Sequence, residues 1–273
     1  MSEECTHNCS SCGKDCGERT AESLLVQSHS RSDVKHVIAV VSGKGGVGKS
    51  MITGLLAKHF TDMGKRTAIL DADITGPSIP KMFGIKEKAR NDFDGVYPVK
   101  AENGISVMSI NLLLQNETDP VVWRGPVIAN SVTQFWSEVI WGEVDYMFVD
   151  MPPGTGDVPL TVFQSLPIDG IVVVTSPQEL VSMVVEKAVK MAQMCDVPIL
   201  GIVENMSYFE CPNCKERHYI YGKSEIQAIA ERYDIDTVLQ LPLNREYASA
   251  CDKGKAYEMD AKMMAPLYEK ISK

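Results

Sequence analysis

From Val34 onward, short apolar runs alternate with longer stretches in which apolar residues recur every three or four positions. Val37–Val41 is uncharged and mostly β-branched, which reads as a strand buried on both faces. Lys49–Met63 sets Ile52, Leu55, Leu56, His59 and Phe60 on one helical stripe, and Gly64 ends it. Thr67–Leu70 is a short buried strand, and Tyr97–Lys100 with Ile105–Ile110, around Glu-Asn-Gly, reads as a hairpin at the sheet edge. Helix Pro126–Trp141, strand Tyr146–Val149, strand Gly170–Thr175, helix Gln178–Cys195 and strand Ile199–Glu204 follow. Thr237–Leu241 is the last strand, with helical segments over Arg245–Asp252 and Ala261–Ile271. This alternation specifies a doubly wound, mostly parallel α/β sheet with ligands at the C-terminal ends of its strands. Residues 1–33 break the pattern: polar and cysteine-rich, they cannot build a core. The chain therefore divides into a cysteine-rich extension and linker over 1–33, with a short helix over Ala21–Val26, and one domain over 34–273.

The first strand runs into Gly43-Lys44-Gly45-Gly46-Val47-Gly48-Lys49-Ser50, a full match to the P-loop pattern. Glycines let successive backbone N–H groups turn inward around phosphate oxygens, where a Cβ would obstruct the approach. Lys49 can reach the β- and γ-phosphates, and the Ser50 hydroxyl can ligate Mg²⁺. The helix that starts near Lys49 aims its N-terminal amides at the same anion. ATP and Mg²⁺ are the cofactors this pattern calls for.

Two acidic strand ends complete the nucleotide chemistry. Asp71 and Asp73 follow the second strand: Asp73 is the candidate for positioning or deprotonating the attacking water, and Asp71 for supporting Mg²⁺ or its waters. Tyr146-Met-Phe-Val-Asp150 is a Walker B strand whose Asp150 holds Mg²⁺ directly or through water. The loop Pro152-Pro-Gly154-Thr-Gly-Asp157 carries a glycine amide able to sense a γ-phosphate.

Lys44, directly after the first glycine, has no duty in an ordinary P-loop. With it the loop resembles the deviant motif of the MinD/ParA/nitrogenase-iron-protein class, in which two subunits sandwich two ATP molecules and this lysine crosses to the partner's phosphates. By that resemblance Lys44 implies a homodimer. Asp71-Ala-Asp73-Ile-Thr-Gly-Pro-Ser, the Pro-Pro-Gly-Thr-Gly-Asp loop and Glu204-Asn205-Met206 narrow the match. Together they resemble the Mrp/ApbC family of iron–sulfur cluster carrier ATPases over essentially all of residues 34–258. The resemblance implies that Asn205 contacts the adenine and that the segment near Pro242 closes the base pocket.

Cys211-Pro-Asn-Cys214 lies in an insertion over 206–222, flanked by Tyr208, Phe209, Tyr219 and Tyr221. Two thiolates two residues apart supply half of a four-cysteine site. Half a zinc ribbon, a redox dithiol and a chance pair are all open readings, and His218 is near enough in sequence to be a third ligand. The dimer implied by Lys44 would bring two pairs together, which suits a bridging 4Fe–4S cluster, and the family places its transferable cluster there. Cys5, Cys9, Cys12 and Cys16 supply four thiolates within one chain, for an iron–sulfur cluster or for zinc with His7. Some members of the family carry an N-terminal ferredoxin-like cysteine set, although this spacing is more compact than that of the eukaryotic scaffold. Cys195 and Cys251 fall on helices, where packing is the default.

Composition removes several partners. The net charge is −9 with no run of Lys or Arg, which argues against nucleic acid. No stretch approaches the roughly 20 apolar residues of a membrane span, the polar start is no signal peptide, and Met259–Lys273 is a poor membrane anchor. A cytoplasmic setting makes eight cysteines metal ligands or buried thiols rather than disulfides. The reading is a homodimeric ATPase that assembles a 4Fe–4S cluster on Cys211 and Cys214 and passes it to apo-proteins. Its rivals are a positioning ATPase of the MinD/ParA kind with structural zinc, and an ATP-driven reductase resembling the nitrogenase iron protein. The reductase is disfavoured because that family's cluster cysteine near the loop here reading Pro152-Pro153-Gly154 has no counterpart.

Overall fold

Alternation along the buried strands decides the architecture. In the computed structural model Val37, Ala39 and Val41 face one apolar core, while Ile38 and Val40 face another. The same division separates Met147 and Val149 from Phe148, and Ile171 and Val173 from Val172 and Val174. A sheet built from such strands is apolar on both sides and has to be covered on both. The structure describes residues 24–74, 76–114, 125–154, 156–178, 181–222, 224–260 and 262–273. Residues 21–23 of the helix expected over Ala21–Val26 lie outside them, as do Cys5, His7, Cys9, Cys12 and Cys16.

In chain order the elements are β1 (Asp33–Ser42), α1 (Lys49–Asp62), β2 (Thr67–Asp71), α2 (Ile79–Met82), β3 (Arg90–Asp92), β4 (Gly95–Tyr97), β5 (Val99–Lys100) and β6 (Ser106–Met108). Then come α3 (Gly125–Ser137), β7 (Glu143–Asp150), α4 (Asp157–Ser165), β8 (Gly170–Thr175), α5 (Val181–Met194), β9 (Ile199–Glu210) and β10 (Arg217–His218). The chain closes with α6 (Ile226–Arg232), β11 (Val238–Pro242), α7 (Arg245–Asp252) and α8 (Ala265–Ile271). The main sheet runs β9-β8-β1-β7-β2-β6-β5, with β11 and β10 also on β9. All its pairings are parallel except β5 with β6 and β10 with β9. Residues of α3, α4, α5 and α6 fill the core on one face, and those of α1, α2 and α8 the core on the other. This is the doubly wound α/β class that the sequence calls for.

Several boundaries differ from the pattern-based expectation. Pro98 interrupts the run over Tyr97–Lys100, so Tyr97 belongs to a separate β3–β4 ribbon while Val99 and Lys100 pair with β6. β6 in turn lies parallel to β2, inside the sheet. α3 stops at Ser137, and Val139 bridges to Val96 instead. β9 runs six residues past Glu204, which turns the expected loop insertion into the stem of a hairpin with β10. The segment before β1 lies along the domain: Trp136 Nε1 donates to the Val26 carbonyl at 2.8 Å, and Ser32 Oγ accepts from the Trp141 amide at 2.9 Å.

Candidate functional site

The glycines of the loop after β1 take backbone shapes that side chains resist. Gly46 and Gly48 have φ of +80° and +88°, and Gly48 caps α1. A Cβ on Gly45 or Gly46 would meet nothing within 4 Å, so these positions open onto a concave face, whereas one on Gly48 would lie 2.3 Å from Asn205 Nδ2. The loop lines a cavity of about 420 Å³ whose other walls are Asp73, Pro153 and the α7 residues Ala248, Cys251 and Asp252.

The register of the sheet gathers the polar groups beneath that cavity. β1 pairs with β7, and β7 with β2, which sets Asp71 beside Asp150. Lys49, nearly buried, donates to Asp150 Oδ1 at 2.7 Å and lies 3.8 Å from Asp73 Oδ2. Ser50 Oγ donates to Asp150 Oδ2 at 2.6 Å. Thr53 Oγ1, one helical turn past Lys49, donates to Asp150 Oδ1 at 3.0 Å. Asp71 is fully buried and accepts from Ser109 Oγ at 3.0 Å; burial first, and the neighbouring Asp150 second, push its carboxyl well above the usual range. Asp73 Oδ1 accepts from the Gly76 amide at 3.2 Å.

Four other expected groups have partners within the chain. Lys44 Nζ donates to Gln178 Oε1. The Gly154 amide donates to the Ser42 carbonyl at 2.8 Å. Asn205 Nδ2 donates to the Val47 carbonyl at 2.9 Å, and Pro242 pairs with Tyr208 on β9. A nucleotide with a hard divalent cation fits this assembly: inward-facing glycine backbone and a lysine suit phosphate, and Ser50 and Asp150 put two oxygen donors within one coordination sphere.

The cysteine pair sits at the opposite extreme of burial. Cys211 and Cys214 occupy the turn between β9 and β10, half-exposed and exposed, both as free thiols. The turn closes through Cys211 N to Glu216 O and Lys215 N to Cys211 O, each 2.9 Å, with Lys215 at φ +63°. Backbone amides of Cys214 and then Asn213 lower the Cys211 thiol below its ordinary value. Arg217 stacks over Tyr208 at 4.4 Å, and Phe209, Tyr219, Ile220 and Tyr221 are exposed around the turn. His218 lies opposite Phe209 on β10. Among the described residues no three His, Cys, Asp or Glu side chains converge as a metal site, so this turn offers two soft ligands per chain.

A profile of the ParA family, described as the NUBPL iron-transfer P-loop NTPase, matches residues 33–273. The chain belongs to this NUBPL family of P-loop NTPases. An iron–sulfur cluster carrier protein of Clostridium perfringens is 43% identical over 271 residues, covering 96% of this chain and 94% of that one. The iron–sulfur cluster transfer protein NUBPL of Mus musculus is 40% identical over 224 residues, covering 81% and 70%. Among solved structures, a nucleotide-binding protein of Archaeoglobus fulgidus in complex with ADP, with Co found by PIXE, superposes with a TM-score of 0.76. It is 45% identical, covering 85% of this chain and 91% of its own. The septum site-determining protein MinD of Pyrococcus horikoshii, at 19% identity and a TM-score of 0.58, shares the fold.

Within this NUBPL-family fold, Thr53, Ser109 and Gln178 are partners that sequence reasoning missed. Thr53 was readable as the position four after Lys49 on one helix face. Ser109 and Gln178 come from segments 38 and 134 residues away from the groups they contact, and only the sheet order brings them there. Burial raises the thiols of Cys195 and Cys251. Cys251 packs its Sγ 3.9 Å from Met259 Sδ while also walling the phosphate cavity. Among the described residues no helix is long and apolar enough to cross a membrane.

Proposed function

We propose that this protein is a homodimeric, cytoplasmic ATPase that carries an iron–sulfur cluster and delivers it to apo-proteins. One observation carries the reading. A free cysteine pair, one thiol half-exposed and the other exposed, caps a hairpin in a chain that aligns over 96% of its length with an iron–sulfur cluster carrier. The cargo is a 4Fe–4S cluster held by Cys211 and Cys214 of two chains, because each turn offers two thiolates and such a cluster takes four. Cys5, Cys9, Cys12 and Cys16 form a second candidate set for iron–sulfur or zinc.

At the other site the roles follow from position. Backbone amides of Gly43–Lys49 cradle the phosphates, and Lys49 neutralises charge on the β- and γ-phosphates. Ser50 and Asp150 hold Mg²⁺, with Asp71 behind them. Mg²⁺, when bound, offsets charge on the phosphate oxygens. Asp73, on the cavity wall within 3.8 Å of Lys49, orients the attacking water and takes its proton. Lys44 leaves Gln178 to reach the partner's phosphates, and Asn205 flanks the base.

Lys49→Ala tests the link between the two sites. Cluster transfer to an apo-acceptor should be lost while cluster binding on Cys211 and Cys214 persists. Equal transfer rates with and without a working phosphate site would refute nucleotide control.

A further inference from the structure

Glu204 is a carboxylate buried to 1% exposure at the last residue of β9 that pairs with β8, before the strand runs out into the cysteine hairpin. Its Oε2 accepts from Ser207 Oγ at 2.5 Å and from Gln240 Nε2 at 2.9 Å, and its Oε1 accepts from Ser224 Oγ. Those three neutral donors come from three places. Ser207 is the outgoing limb of the hairpin, Ser224 the returning limb, and Gln240 lies on β11. Ser224 Oγ also accepts from the Ile226 amide at 3.0 Å, which ties the returning limb to the start of α6. Both limbs of the segment that carries Cys211 and Cys214 are thus fastened to one buried group.

The backbone beside Glu204 is bent. Met206 has φ +57°, a left-handed conformation that a side chain other than glycine rarely adopts without surroundings that hold it. The pairing slips at the same place: Gln240 faces Glu204, whereas Pro242 faces Tyr208, so β9 takes four steps where β11 takes two. Between the carboxylate and the bend lies Asn205, whose Nδ2 holds the Val47 carbonyl of the phosphate loop. Within three consecutive residues the chain touches the phosphate loop, pivots and is clamped to the hairpin.

We propose that Glu204 is a positioning residue that converts movement of the phosphate loop at Val47 into rotation of the cysteine hairpin. It does so by locking the left-handed turn at Met206 and holding both hairpin limbs as one body. The inference rests on the functional reading above for its meaning but not for its test. A shift of Val47 moves Asn205; with Ser207 and Ser224 held by one carboxylate, the hairpin turns about Met206 rather than fraying. A leucine at 204 keeps the bulk of the side chain but accepts from none of the three donors, whereas a glutamine pairs with all of them, its oxygen accepting from Ser207 and Gln240 and its nitrogen donating to the Ser224 hydroxyl.

Amide hydrogen exchange over residues 207–222 of iron-free full-length protein, with and without ATP and Mg²⁺, tests the coupling. In the wild type the nucleotide should change exchange across this segment by about threefold or more. In Glu204→Leu the change should fall to below about 1.5-fold, with Glu204→Gln close to wild type, while ATP affinity stays within about threefold in both. Ser224→Ala, which removes one donor at a half-buried site, should give an intermediate response and carries the test if the leucine variant does not fold. An unchanged nucleotide response in Glu204→Leu and Ser224→Ala overturns the role of Glu204, and no response in the wild type overturns the coupling itself. Because the readout needs no iron, it remains decisive even if metal analysis shows that the hairpin binds zinc.

Discussion

Around the phosphate loop, Lys49, Ser50 and Thr53 all converge on a fully buried Asp150, with a second buried carboxylate, Asp71, alongside. At the cysteine hairpin, two free thiols sit on a solvent-facing turn ringed by Phe209, Tyr219, Ile220 and Tyr221. The carboxylates and the lysine of the first region are gathered by the register of three neighbouring strands; the second region presents its two thiols to solvent. A carrier needs this division. The part that reads nucleotide must be built to close tolerance, and the part that takes up and releases cargo must be reachable and easily disassembled.

Substitutions should separate the two regions sharply. Lys49→Ala leaves Asp150 buried beside Asp71 without its cation, and should cost about 3–5 kcal/mol in urea unfolding of the nucleotide-free protein. Cys211→Ser and Cys214→Ser should each stay within about 0.5 kcal/mol of wild type in the same experiment while abolishing metal binding at the hairpin. Comparable losses in both sets would break the contrast.

Gly48→Ala comes next in size. It combines φ +88° with a Cβ placed 2.3 Å from Asn205 Nδ2, so nucleotide affinity should fall by about tenfold or more, equivalent to about 1.4 kcal/mol. Gly142→Ala serves as control: at φ +68° with nothing within 4 Å, it should cost only backbone strain and leave nucleotide affinity unchanged in titration calorimetry.

Thiol chemistry sharpens the comparison further. Amide donors lower Cys211, and burial raises Cys195 and Cys251. At neutral pH Cys211 therefore holds the larger thiolate fraction and should be alkylated first by iodoacetamide, with the lower titration midpoint by mass spectrometry. Alkylation of Cys251 ahead of Cys211 would contradict this order.

The smallest effect lies away from both sites. Asp145 accepts from Arg66 Nε and backbone N, each at 3.0 Å, and from Lys35 Nζ at 2.8 Å, which holds its carboxyl well below the usual range. A depressed carboxylate adds stability above its unfolded value near pH 4 and loses it as pH falls through the folded one. Asp145→Asn should accordingly be less stable than wild type at pH 6, and the difference should shrink on acidification in thermal melts.

The phosphate site was largely legible because its signal is local. The glycine pattern, the stripe through Ile52, Leu55 and Leu56, and a buried strand ending in Asp150 each span a few residues. Strand pairing then brings Lys49 to Asp150 across 101 residues, as a parallel sheet of that order requires. The hairpin was less legible. Nothing in Asn205-Met-Ser-Tyr-Phe-Glu210 announces that β9 continues, because its pairing with β11 slips and its outer end meets only the two-residue β10. α4 and α6, nine and seven residues long, are too short for periodicity to declare them. The contacts of Lys44 with Gln178 and of Glu204 with Ser224 and Gln240 belong to tertiary structure alone.

The most direct test of the account is anaerobic iron, sulfide and zinc analysis with Mössbauer spectra, on wild type and the Cys211→Ala/Cys214→Ala variant. The variant should lose about four iron and four sulfide per dimer, whatever the N-terminal cysteines retain. Stoichiometric zinc without sulfide at the hairpin would contradict it and make the cysteine pair a structural clasp.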